Sequence, residues 1–248
     1  MADIVDRMNV YDHPHFFEGY RALRESDRGL NGALEIPALR ALLPELAAKI
    51  VLDLGCGFGD FARYVRKHGA RSVTAIDLSQ RMLGEARRLT TDSEIVFVHA
   101  RIEDHIPDPE AYDLVVSSLA LHYLADIRDV FQRVFRALRP SGTFIFSVEH
   151  PMCTAHPVGW VRDGGGQATH WPVDRYQDEG MRKTRWFIDG VVKYHRTIET
   201  YVNALLSTGF QLDALCEPKP TAEALCARPS LMDELRRPPV LLLRASRR

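Results

Sequence analysis

Between residues 49 and 149 the chain repeats one pattern: a short apolar run, a turn, then an amphipathic stretch. The spacing predicts strands over 50–54, 72–76, 94–98, 112–117 and 143–148, with helices over 59–67, 79–89 and 127–138 between them. In the last helix Ile127, Val130, Phe131, Val134, Phe135 and Leu138 form one apolar stripe, with Arg128, Gln132, Arg133 and Arg136 on the other face. The following Arg139-Pro-Ser-Gly142 reads as its stop. Strand, helix, strand in this order requires crossovers. It therefore predicts an α/β fold, a parallel sheet with helices on both faces and ligands beyond the carboxyl ends of the strands.

The flanks differ from this core. Residues 1–48 read as mostly helical, with Phe16, Phe17, Tyr20 and Leu23 on one side. Residues 150–196 are irregular and rich in Gly, Pro, His and Trp, and Asp189-Gly190 reads as a two-residue hairpin turn. A helix over 198–208 and strands over 210–216 and 240–244 follow, and the arginine-rich end, 244–248, is expected to be solvated. The 248 residues, 46% hydrophobic and 26% charged, suffice for a single domain with a substantial core. Thirty-two basic residues against thirty-three acidic ones leave no basic footprint, so a nucleic-acid partner is not expected. No apolar run reaches the roughly 18 residues of a membrane span. The four cysteines show no metal-ligand spacing, and neither a metal nor a membrane partner is expected. A reduced, cytoplasmic protein is the simplest expectation.

Chemistry concentrates in VLDLGCGFGDFA, residues 51–62. Glycines at 55, 57 and 59 allow a sharp turn and a close approach of a ligand to the backbone. A dinucleotide loop places a small residue where Asp60 stands, and an acid there repels a pyrophosphate. Asp53 favours a ligand with an ammonium head, and Asp77, ending the second strand, can accept hydrogen bonds from ribose hydroxyls.

Taken together, VLDLGCGFGDFARYV, VTAIDLSQRMLGEAR, YDLVVSSLALHYLADI and VFRALRPSGTFIFSVEHP resemble the class I S-adenosylmethionine-dependent methyltransferases of the small-molecule type. The resemblance implies a Rossmann-like seven-stranded, mostly parallel sheet with an antiparallel last strand. It implies a helical cap over 1–48, while the aromatic residues concentrated in the insertion over 150–196 suggest a substrate lid. It also implies S-adenosylmethionine as cofactor, with Asp53, Gly55, Cys56, Gly57 and Gly59 at its methionine portion and Asp77 at the ribose. Leu78 and Met82 would pack on the adenine, Ile102 and Glu103 would border it, and Ser117 and Leu119 would lie along the methionine chain. Many relatives carry an aspartate where Arg101 stands, and arginine cannot accept a hydrogen bond from the adenine amino group. Tyr20 and Arg24 of the cap are expected either at the cofactor or in a purely structural helix.

Methyl transfer is an in-line displacement that proximity accelerates, so a base is needed only if the acceptor loses a proton. His122, His150 and His195 are the candidates, each with a packed or solvated histidine as the alternative. Trp160, Trp171, Tyr176 and Trp186 of the lid would stack on a planar or apolar acceptor, form the lid's own core, or both. The expected reaction is methylation of an oxygen or nitrogen of a small, planar metabolite. The alternatives are a non-catalytic S-adenosylmethionine-binding protein and a nicotinamide-dependent oxidoreductase.

Overall fold

The computed structural model describes residues 9–26, 29–156 and 158–248, so the first eight residues of the expected cap lie outside the described residues, as do Asp27, Arg28 and Pro157. Among the described residues two α-helices, α1 (Pro14–Glu25) and α2 (Ile36–Ala41), precede the sheet region, with a 3-10 turn over Val10–Asp12 and a π-helical turn over Asn31–Glu35. There follow β1 (Ile50–Leu54), α3 (Asp60–Lys67), β2 (Ser72–Asp77), α4 (Gln80–Arg88), β3 (Ile95–His99), β4 (Tyr112–Ser118), α5 (Arg128–Ala137) and β5 (Leu138–Glu149). The insertion carries α6 (Pro151–Ala155) and strands β6 (Val161–Arg162), β7 (Ala168–His170), β8 (Gly180–Trp186) and β9 (Ile188–His195). The chain closes with α7 (Ile198–Thr208), β10 (Phe210–Cys216), α8 (Ala222–Ala227) and β11 (Val240–Arg247).

Seven strands form one sheet in the order β10-β11-β5-β4-β1-β2-β3. Strands β1 to β5 pair in parallel, and β11 runs antiparallel to both β5 and β10. Side chains alternate between the faces. Leu52, Val115, Phe144 and Phe146 pack with Phe131 of α5 and Tyr201 of α7. Val51, Leu114, Val116, Ile145 and Leu242 pack with Ala62 and Val65 of α3 and with Leu34 and Leu39. With both faces covered, the central strands are apolar nearly throughout, which is why they read as runs rather than alternations.

Two expectations are corrected. The arginine-rich C-terminus is not a solvated tail: β11 lies inside the sheet, and its ladder continues to Arg247 opposite Phe210. Arg247 also donates to the Leu138 carbonyl and pairs with Glu110 at 2.8 Å, while Arg244 Nη1 donates to the Leu42 carbonyl at 3.0 Å. Asp189-Gly190 is not the hairpin turn. Trp186 pairs with Ile188, so the chain reverses at Phe187, and Gly190 falls beside the register shift within the hairpin. Residues 139–142 do stop the helix, since α5 ends at Ala137, and the same residues enter β5 as an irregularity, with the register against β4 shifting between Tyr112 and Leu114.

Phe131 is fully buried among Phe144 and Phe146, whereas Val96 on the edge strand β3 is 55% exposed. Phe131→Ala is expected to cost about 3–5 kcal/mol, and Val96→Ala less than about 0.5 kcal/mol. Urea unfolding of the two variants measures the difference.

Candidate active site

A cavity of about 750 Å³ opens at the carboxyl edge of the sheet, where the position of the loops in a parallel sheet requires it. Its floor is the turn after β1. Gly55 N and Cys56 N both donate to the Ile76 carbonyl at 2.9 Å, which ties this turn to the end of β2. A Cβ on Gly55, at φ +80°, would lie 2.5 Å from Ala120 Cβ, so only glycine fits there. At Gly57, φ +53°, nothing lies within 4 Å of the equivalent point, and the backbone stands open to the cavity.

Two acids frame that turn. Asp77 accepts from Gly57 N and from Ser79 N, each at 2.8 Å, one on each carboxylate oxygen. Burial raises its pKa, and these backbone donors oppose the rise. Asp53 is 2% exposed, and its Oδ2 has no hydrogen-bond partner. Burial first, then the charges of Asp77 and Asp60, push Asp53 up to about 8. An unpartnered buried carboxyl held neutral by desolvation is a receptor for a cation, because a positive group restores its ionised form.

Asp60 itself is paired, with Arg24 at 2.7 Å and Arg63 at 2.5 Å. Its repulsion of a pyrophosphate is therefore weaker than the sequence implies, and Arg24 reaches the cavity wall with one nitrogen already spent on Asp60. Tyr20 lines the cavity among Tyr11, Phe58 and Trp186. Leu78, Met82, Ile102 and Glu103 also stand in the wall, as do Asp53, Cys56, Asp77 and Leu119. Glu103 accepts from Arg101 at 3.1 Å, so the arginine in the unexpected position occupies the acid proposed to replace it.

Two expected contacts lie outside the wall. Ser117 is fully buried and donates to the Leu54 carbonyl at 2.9 Å, binding β4 to β1, and strand alternation instead turns Ser118 toward the cavity. Gly59 starts α3 with the Phe97 ring packed against it, so it shapes the loop without facing the space. Sequence reading missed Glu35. This fully buried side chain accepts from Ser118 Oγ at 2.8 Å and Ser147 Oγ at 2.6 Å, and its Oε2 is unpartnered. Burial raises its pKa. Within a stretch read as a helical cap it carried no motif, and only the fold brings it onto the ends of β4 and β5.

The far end of the cavity is built by β5, the loop after β4 and the insertion. Of the three histidines, only His122 reaches it. Burial lowers its pKa to about 4. Its Nδ1 accepts from Glu149 N at 3.4 Å, which assigns the proton of the neutral ring to Nε2. His122 is thus a hydrogen-bond donor toward the cavity rather than a ready base. His150 is spent on structure: Nδ1 caps α6 through Met152 N at 3.1 Å, and Nε2 lies 2.9 Å from Glu217. His195 is buried in the insertion between Thr154 Oγ1 at 2.7 Å and the Tyr176 carbonyl at 2.9 Å. Both expectations of a base at these positions are corrected, since all four ring nitrogens are engaged away from the cavity.

Glu149, Lys193, Trp171, Trp186 and Arg237 complete this end. Burial would raise Glu149, but His122, Lys193 and Arg237 outweigh it and lower its pKa, with Lys193 Nζ at 2.5 Å. Trp186 meets Phe16 of α1 edge to face at 5.2 Å, and Tyr11 donates to the Tyr123 hydroxyl at 3.1 Å. Aromatics of the insertion therefore both line the cavity and pack among themselves, as Trp160 and Trp171 do at 5.4 Å. Among the described residues no cluster of three His, Cys, Asp or Glu side chains suits a metal ion, and no helix is long and apolar enough to cross a membrane.

The methyltransferase domain family model matches residues 52–146. The S-adenosylmethionine-dependent methyltransferase of Mesorhizobium loti is 47% identical, with a TM-score of 0.82 over 88% of this chain and all of that one. A putative S-adenosylmethionine-dependent methyltransferase of Listeria monocytogenes is 46% identical, with a TM-score of 0.78 over 85% of this chain and 96% of that one. The malonyl-[acyl-carrier protein] O-methyltransferase of Enterobacter lignolyticus is 44% identical over 111 residues, 44% of this chain and 43% of that enzyme.

Asp53 yields a pH signature. Its folded pKa of about 8 lies above its ordinary 3.8, so the unfolded chain ionises first as pH rises. Stability of the unliganded protein falls between those two values and levels off above the higher one. The Tm advantage of Asp53→Asn over the parent is expected to widen between about pH 5 and pH 8 and then stay constant. A pH-independent gap in thermal melts would mean that Asp53 is ionised throughout.

Proposed function

The chain belongs to the class I S-adenosylmethionine-dependent methyltransferases, and within that family we propose that it methylates an oxygen or nitrogen of a small, planar metabolite. Enzyme class and cofactor follow from the family, which leaves no role for a nicotinamide. The residues suit this cofactor: Asp53 Oδ2 is a buried acceptor without a partner, beside a glycine backbone open to the cavity. That pairing is the observation that carries the reading.

When bound, S-adenosylmethionine supplies an electrophilic methyl group on a sulfonium. Asp53, Gly55, Cys56, Gly57 and Leu119 would hold its methionine portion, with Tyr20 and Arg24 closing from α1. Asp77, held in place by the backbone N–H groups of Gly57 and Ser79, would receive the ribose hydroxyls, and Leu78, Met82, Ile102 and Glu103 would enclose the adenine. At the far end His122 would donate to the acceptor and orient it. Alignment in the cavity then accounts for most of the acceleration, without a dedicated base. Residues N-terminal to β1 act as a cap and the insertion as a lid, the two meeting at Phe16 and Trp186. An oxygen acceptor is supported by the relative named as an O-methyltransferase. A cytoplasmic setting belongs to the same reading.

The test is formation of S-adenosylhomocysteine from S-adenosylmethionine in the presence of small hydroxyl, carboxyl and amine acceptors. Tight cofactor binding with no turnover on any acceptor would favour a non-catalytic binding protein. Calorimetry in buffers of different ionisation enthalpy reads the role of Asp53. At pH 7 cofactor binding is expected to release a proton from the parent protein and none from Asp53→Asn. Asp53→Asn should also weaken binding by roughly tenfold to a hundredfold, the worth of a charge-assisted hydrogen bond.

A further inference from the structure

Arg237 is a buried cation that the cofactor reading does not use. It is 8% exposed and stands in the wall of the cavity. Its Nη2 lies 2.9 Å from Glu234, but Nε and Nη1 are buried with no hydrogen-bond partner. The neighbouring Arg236 behaves differently: it is more exposed and donates to the Ala168 carbonyl at 2.7 Å and to that of Thr169. A guanidinium with unspent N–H groups in a desolvated wall is costly unless an acceptor arrives to use them.

Its surroundings hold it there. The guanidinium lies over Trp171 at 3.9 Å from the ring centroid, with Trp160 at 5.6 Å, and the Trp171 indole is pinned by donation to the Met152 carbonyl at 3.1 Å. Pro238 and Pro239 follow, and Val240 then pairs with Glu149, so Arg237 sits at the β5–β11 edge near His122's partner. The carboxylates facing it are partly offset. Lys193 neutralises Glu149, and burial raises the pKa of Glu234 despite the opposing influence of Arg237.

We propose that the methyl acceptor is an anion, a planar carboxylate or phosphate, whose negative group is seated on Arg237 between the lid tryptophans. Nε and Nη1 supply the hydrogen bonds, while the indole faces of Trp171 and Trp186 favour a flat body beside it. This inference rests on the methyl-transfer reading and names the acceptor class for the same site.

Benzoate, phenyl phosphate and the uncharged isostere benzamide are titrated into the full chain saturated with S-adenosylhomocysteine. One or both anions are expected to bind roughly tenfold or more tightly than benzamide. In Glu234→Gln/Arg237→Gln, which leaves no unpaired carboxylate, the preference should vanish while affinity for S-adenosylhomocysteine is retained. Arg237→Lys, which keeps the charge and a partner for Glu234, should preserve it. Benzamide matching both anions, or a preference that survives in the double variant, would overturn the proposal. Failure of the parent protein to bind S-adenosylhomocysteine would instead strike the cofactor reading on which it rests.

Discussion

Asp77 holds the site together. One carboxylate oxygen takes the Gly57 N–H and the other the Ser79 N–H, so a single side chain at the end of β2 fixes the turn after β1 and its own turn into α4. The Ile76 carbonyl adds the N–H groups of Gly55 and Cys56. The glycine loop is thereby locked to the neighbouring strand rather than to its own. Its open backbone at Gly57 faces the cavity because of that lock, and Asp53 is buried beneath it without a partner.

From this anchor the cavity divides electrostatically. The end at the glycine turn is acidic and unsatisfied, with buried oxygens on Asp53 and Glu35 lacking partners. Its far end holds the cations Lys193 and Arg237, buried against indole rings, with Lys193 paired to Glu149 and Arg237 keeping unspent donors. A low-dielectric interior makes both ends costly when empty and selective when filled by groups of opposite sign. The segment before β1 and the insertion meet through Phe16 against Trp186, and ion pairs tie each of them to the core, Arg24 to Asp60 and Lys193 to Glu149.

Much of the catalytic core was legible. Apolar runs and a three-and-four spacing located β1 to β4 and α3 to α5 to within a residue or two, because those patterns are what burial on both sheet faces demands. The acids at 53 and 77 could be read because they end apolar runs, where a parallel sheet always points outward to a ligand. Serine and histidine positions were not legible in the same way. Ser117 and Ser118 differ only in which way the strand turns each side chain, and His122, His150 and His195 differ only in what meets the ring.

Taken alone, the sequence determined the sheet, its crossovers, the glycine turn and the two acids, all consequences of local spacing and of which residues tolerate burial. The tertiary structure decided the rest. It drew Arg247 into a central strand, placed Glu35 across the ends of β4 and β5, and left Arg237 with unspent donors in the wall. The physical reason is that the value of a polar side chain depends on whether a partner from a distant segment reaches it. Glu35 lies 112 positions from Ser147, and that meeting exists only once the chain is folded.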